Sequence, residues 1–406
     1  MEYPNPNVVD SYAAKYILTL RYNPTTKTPL QKLTWKDFVA DQKISLDFIE
    51  NSITKYIKEK FSDSSKKISL ALSGGVDSTI ILLMIKKILP ESEINAISIK
   101  FTESTDETKV AEKIAEKFDV NYHLINIENY LVELPKAISI VKQPFWDLHW
   151  YYVVKKAKSL SQHLASGDGG DELFGGYTFR YSKFLSLINE KSTPIEKTKA
   201  YLQCHERDHV PDQMTLFGKK FSFSWESIYS IIKPYFDNSL NPLQQIFLAD
   251  FNGKLLYNFA PLNSLINSHF QIKAITPLLS CELISYATHL PPSEKYDSFS
   301  NIGKIPLRNI LKKENIYEHL GNQKLGFSVN TINLWKSYGK KLSEYYLTDS
   351  RVIQDGWINK EWIDKYIESE NLDARYVNKF LGILAFEIWY RLFYTKEIRE
   401  DEKLLI

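Results

Sequence analysis

The chain has 406 residues, 44% hydrophobic and 25% charged, a composition that excludes a disordered or fibrous protein and suffices for a substantial core. Lys plus Arg number 51 against 49 Asp plus Glu with no long one-sign block, so neither nucleic acid nor a membrane surface is indicated as main partner. The two cysteines, Cys204 and Cys281, lie far apart with no CxxC pair, and no window approaches the roughly 18 apolar residues of a membrane span, so a reducing, cytoplasmic setting is expected.

Residues 1–45 are read as a lead-in rich in Tyr, Pro and Asn, too short for a core of its own. From Leu46 the spacing turns helical through Ile49, Ile53 and Ile57. An alternation follows: strand Lys67 to Leu72, a helix over STIILLMIKKIL, strand NAISIK, a helix from Asp106 to Phe118, and strand YHLINI. Such βαβαβ order predicts an α/β fold, a doubly wound parallel sheet whose ligand lies at the carboxyl ends of the strands. A helix from His149 to Leu160 leads to a short strand, QHLAS, and beyond about residue 185 long amphipathic helices make a mostly helical C-terminal half. The expected units are therefore 1–45, a core over 46–185 and a helical part over 186–406.

Two glycine-rich loops carry the chemistry. The first, Ser73-Gly74-Gly75-Val76-Asp77-Ser78, stands where a strand ends and a helix begins. Glycines expose successive N–H groups and the helix start adds its positive dipole end, which together cradle a phosphate. The hydroxyls of Ser73 and Ser78 can donate to phosphate oxygens; Asp77 would repel phosphate unless it holds a bridging Mg²⁺. A plain strand-to-helix turn with Asp and Ser caps is the simpler alternative. The second loop, Ser166-Gly167-Asp168-Gly169-Gly170-Asp171-Glu172-Leu173-Phe174-Gly175-Gly176-Tyr177, sets three acids among five glycines. Carboxylates so crowded are costly unless cations share the site.

SGGVDS resembles the pyrophosphate loop of the ATP-pyrophosphatases, which cleave ATP between its α and β phosphates, and SGDGGDELFGGY is similar to the signature of the asparagine-synthetase family. The turn Gln143-Pro144-Phe145-Trp146-Asp147, the segment Pro277-Leu278-Leu279, the stretch Lys304 to Arg308 and the motif Gln323-Lys324-Leu325-Gly326-Phe327 resemble further family motifs in the same order. The resemblance implies an adenine-nucleotide alpha-hydrolase-like core that binds ATP and pyrophosphate through Leu72, Ser73, Gly74, Gly75, Asp77, Ser78, Ser166, Gly167 and Lys324. It implies Asp77 and Asp171 as Mg²⁺ ligands, and Ser166, Gly167, Asp168 and Tyr177 beside the substrate. Lys324 and Asp168 would be catalytic, Lys324 as charge stabiliser and Asp168 as acceptor of the amine's surplus proton.

Two departures shape the expectation. Glutamine-dependent members begin with a catalytic cysteine directly after Met, where this chain has Glu2. Ammonia would then come from solution or a separate glutaminase subunit, or the nucleophile is another amine; a homodimer is also compatible with the resemblance. The family's EVRxPFLD stretch stands here as Lys273-Ala274-Ile275-Thr276-Pro277-Leu278-Leu279-Ser280, which weakens aspartate as substrate and argues mildly against the chemistry of ring-closing branches such as the β-lactam synthetases. Trp146, His149 and Trp150 are read as core aromatics, with an altered acceptor pocket as the alternative. Arg308 is read as either a phosphate contact or a structural cation. The expected reaction is adenylation of a small-molecule carboxylate, aspartate first, followed by transfer of ammonia or another amine; the alternatives are the same chemistry on a sugar acid, on a peptide carboxylate or in macrolactam formation, or a non-catalytic nucleotide-binding subunit.

Overall fold

In a computed structural model that describes residues 10–61, 67–104, 106, 108–320, 329–369 and 371–405, the alternating segment forms a parallel sheet. Its strands are β1 (Lys67–Ala71), β2 (Glu93–Phe101), β3 (Asn121–Ile127), β4 (His163–Ala165) and β5 (Lys273–Ile275), in the order β3-β2-β1-β4-β5. Leu70 of β1 pairs with Ala96 on one side and Ala165 on the other, and Ala165 pairs in turn with Ile275. The chain winds outward from β1 to β3, then returns to place β4 on the opposite flank of β1. That reversal opens a crevice at the carboxyl ends of β1 and β4.

Apolar residues of β1 and β2 face both ways, as a sheet covered on both sides requires. Ile68, Leu70, Leu72, Ile94 and Ala96 join a core with α2 (Leu46–Lys60) and α3 (Val76–Ile88), whereas Ala71, Ile97, Ile99 and Phe101 join one with α5 (Leu134–Val141) and α6 (His149–Lys158). The segment Thr79–Ile85 of α3 is buried on every face, consistent with a helix wedged between sheet and neighbours. In α4 (Thr108–Lys117), Ala111, Ile114 and Ala115 give the one-sided spacing of a helix with an outer face in solvent.

The C-terminal half is helical and centres on Ala374–Tyr390, whose N-terminus is capped by Asp373 accepting from the backbone N–H of Arg375 and Tyr376. The lead-in packs against this helix through α1 (Ala14–Leu20). Lys379 donates to the carbonyls of Leu18 and, at 2.9 Å, Asp208. Arg21, in the left-handed region at φ 67°, pairs with Asp147 and lies 4.1 Å from the Trp146 ring centre. Among the described residues no helix is long and apolar enough to cross a membrane.

Candidate active site

The first loop leaves β1 and the second leaves β4, so strand pairing sets the two side by side. In the first, Gly74 takes φ +77°, a conformation that strains a side-chain-bearing residue, and the Ser73 and Ser78 hydroxyls lie 3.2 Å apart. The Ser73 hydroxyl accepts from the Gly75 N–H at 3.3 Å, and Ser78 donates to the Gly75 carbonyl at 3.2 Å. The loop is thus braced internally before α3 begins. In the second, α7 (Gly170–Phe174) is a short helical turn between Gly169 and Gly175.

The loops touch through their glycines. A Cβ on Gly170 would sit 2.3 Å from Asp77 Oδ1, and one on Gly176 would sit 1.9 Å from Asp171 Oδ1 and 2.3 Å from Lys304 Cε. Only hydrogen fits at these positions. The glycines therefore let two carboxylates from sequence-distant loops approach one ammonium: Lys304 Nζ pairs with Asp77 Oδ2 and, at 2.7 Å, with Asp171 Oδ1. Burial alone would lower the Lys304 pKa, but Asp171 and Asp77 outweigh it and the net shift is upward. Lys304 is held by its own backbone as well, its N–H donating to the Phe174 carbonyl at 2.8 Å.

A cavity of about 250 Å³ opens beside this cluster. Of the residues singled out from the sequence, Ser73, Asp77, Ser78, Ser166, Gly167, Asp168, Asp171 and Tyr177 line it. Gly74 and Gly75 sit behind it, shaping the turn, and the Leu72 side chain is fully buried in the core while its carbonyl accepts from Ser98. Lys324 and the motif around it lie outside the described residues. Burial raises the Asp168 carboxyl, with Ser166 and Asn263 opposing; Asn263 Nδ2 donates to Asp168 Oδ2 at 3.2 Å. Burial and the Asp171 charge push Glu172 up to about 7, and Glu172 accepts from the Tyr177 hydroxyl at 2.6 Å. The Tyr177 ring is in turn covered by Arg180 at 3.9 Å.

Several lining residues escaped the sequence reading. Leu255, Phe259 and Asn263 come from the helical half and had no local signal. Lys304, which does not line the cavity but pairs with two carboxylates that do, had a signal in the stretch Lys304 to Arg308, but its contact with Asp77 spans 227 residues. Arg308 is structural: it donates to the Gly303 carbonyl at 2.8 Å and the Tyr317 hydroxyl at 3.0 Å. Trp146 and Trp150 are buried, in keeping with the core reading, yet Trp150 and His149 also line the cavity. Burial lowers the His149 pKa, which leaves a neutral imidazole facing the cavity.

The residues fit a divalent cation in one respect that can be read from the structure: an ammonium already occupies the space between two carboxylates that α3 and α7 fix. Mg²⁺ is commonly held by one or two carboxylates completed by substrate phosphates, and two carboxylates are what these loops bring together.

Comparison with known proteins identifies the family. Residues 52–391 match the model of the asparagine synthase family. The glutamine-hydrolyzing asparagine synthetase 1 of Bacillus subtilis is 24% identical, aligned over 98% of this chain and 68% of its own length. The NH(3)-dependent NAD(+) synthetase of Staphylothermus marinus is 22% identical over 52% of this chain and 82% of its own. A solved NH3-dependent NAD synthetase from Campylobacter jejuni is 16% identical, covering 42% of this chain and 91% of that one at a TM-score of 0.26. With both glycine loops inside a match that spans most of its length, the chain belongs to the asparagine synthase family.

Proposed function

We propose that this chain is an ATP-dependent, AMP-forming carbon–nitrogen ligase that adenylates a carboxylate and transfers ammonia or another amine to it. The observation that supports this most directly is the convergence of Asp77, Asp171 and Lys304 at the mouth of the phosphate loop. The SGGVDS backbone and the start of α3 receive the phosphates. Asp77 and Asp171 would hold Mg²⁺, which when bound neutralises the leaving pyrophosphate. Lys304, freed from the carboxylates, lies in reach of the same anions. Ser166, Gly167 and Tyr177 border the acceptor, Asp168 takes the amine's proton, and Lys324 keeps the charge-stabilising role that the family resemblance implies.

Aspartate is the first acceptor to try, but one observation favours another acid. Beside the serines and carboxylates of the two loops, the described lining of the 250 Å³ cavity holds no lysine or arginine to meet a second carboxylate and includes Trp150, Leu255, Phe259 and His149, whose pKa burial lowers. An acid with an uncharged or aromatic body suits them better. The test is pyrophosphate release from Mg-ATP and ammonium with aspartate and a panel of other carboxylates, using Asp171→Ala as the blank. Release dependent on one acid establishes the ligase and its acceptor. ATP binding without release under every acid would instead favour a non-catalytic nucleotide-binding subunit.

A further inference from the structure

A second, larger cavity of about 850 Å³ backs onto the first. The two have Asp168 and Asn263 in common, so the partition between them is a hydrogen-bonded carboxylate–amide pair. The remaining wall is mixed and comes from the lead-in, α2, the helix Ala260–His269, β5 and the turn after it; Ser52, Ser264, Ser268 and Thr276 contribute hydroxyls among apolar groups such as Leu30, Ile272 and Leu279. Ammonia occupies no more room than a water molecule, about 30 Å³. A passage for ammonia has no need of a chamber many times that size. Besides the Asp168 carboxylate at the partition, the lining carries charge of both signs, Lys55 and Lys60 of α2 with Glu59 and Glu282. Lys55 there pairs with Glu282 at 3.2 Å, and the Lys60 ammonium lies 5.7 Å from the Tyr56 ring centre.

We infer that this chamber binds the amine substrate, an amino acid or short peptide that sets its amino group against Asp168 and its carboxylate toward Lys55 and Lys60. Binding follows from the chamber; acylation of the bound amine rests on the ligase reading above. The ammonium gives one proton to the Asp168 carboxylate, and the freed nitrogen lone pair attacks the acyl carbon of the adenylate. The C–N bond forms, the C–O bond to AMP breaks, and the second proton leaves with the AMP phosphate.

The test uses glycylglycine as probe in saturation-transfer NMR with Mg-ATP present. Ser264 and Ala274 line only the larger chamber and are exposed, so Ser264→Trp and Ala274→Trp fill it without entering the core. The expected result is transfer to glycylglycine in the unmutated chain, lost in both variants, with transfer to ATP unchanged in all three. A second measurement needs no variant. Cys281 lines the chamber and is exposed while Cys204 is buried, so N-ethylmaleimide labelling reports on occupancy. Glycylglycine at ten times its Kd should slow labelling about tenfold, and ammonium at equal ionic strength should leave it unchanged. No transfer to glycylglycine in the unmutated chain, equal transfer in the filled variants, or equal protection by ammonium overturns the inference. Missing transfer to ATP in the unmutated chain overturns the ligase reading instead, and the glycylglycine result still decides this one.

Discussion

Two clusters of buried charge in this molecule look alike in composition and differ in what surrounds them. Glu387, wholly buried on the helix Ala374–Tyr390, accepts from the Ser350 hydroxyl at 2.7 Å, from the N–H of Arg351 at 2.9 Å and of Val352 at 3.0 Å, and pairs with Arg391 at 2.6 Å. Its acceptor capacity is saturated by donors fixed in the fold, which is how an interior tolerates a charge. Asp77 and Asp171 share one ammonium and line an open cavity. Both carboxylates border space that a ligand can enter. The first cluster is closed by the fold, and the second opens onto a cavity.

The comparison breaks first on stability. Glu387→Ala strands Arg391 and three donors and should cost about 3–5 kcal/mol, seen as a fall in the urea midpoint. Lys304→Met should cost a similar amount, about 3–5 kcal/mol, but only in this variant should Mg²⁺ restore part of the loss, since the carboxylates then lack their ammonium. Melting curves with and without MgCl2 decide it; equal curves would mean the acid pair is no cation site. Asp171→Asn is the converse case. It removes one of two like charges, so stability should hold or rise, while pyrophosphate release should fall by about 10²–10³-fold.

A weaker effect separates both clusters from lysines buried without a carboxylate in contact. Burial pushes Lys295 down to about 7 from an ordinary value of 10.5; its ammonium donates to the Ala287 carbonyl at 3.0 Å. Lys379 is likewise lowered to about 7, burial again being the main cause. Between pH 7 and 10.5 the unfolded chain therefore holds more protons than the folded one, and stability should rise with pH through that window by up to about 1.4 kcal/mol per unit for each lysine. Lys295→Met should flatten the rise in urea midpoints measured at pH 7, 8 and 9. Smallest of all, Arg308→Met should cost about 1 kcal/mol through its two lost hydrogen bonds and leave pyrophosphate release unchanged. A drop in turnover would put Arg308 in the site after all.

How much of this was legible in the sequence follows contact range. Strands β1 to β4 and the helices between them could be read because alternation and helical spacing are local properties of the chain. The two loops could be read because glycine and aspartate in that density have few structural uses. β5 could not: it is three residues long, two of them exposed, and Lys273 and Ala274 carry no strand signal. α1 has only seven residues and depends on packing against the helix Ala374–Tyr390, hundreds of positions away. Lys304 lay in a stretch noticed for its resemblance, but nothing near it in sequence announces the two carboxylates it meets. Asn263 gives no signal, since an asparagine on a helix is ordinary until a partner such as Asp168 is known.

The strand order also fixes a timetable. β4 carries the second loop and pairs with β1, but its other neighbour, β5, is synthesised more than a hundred residues later and Lys304 later still. A nascent chain that has just cleared the second loop lacks the Lys304 ammonium that Asp77 and Asp171 share in the finished fold. Its sheet edge along β4 is open as well. Lys304 joins the two carboxylates only when the helical half arrives, and a truncated product carrying both glycine loops is expected to be sticky along that edge.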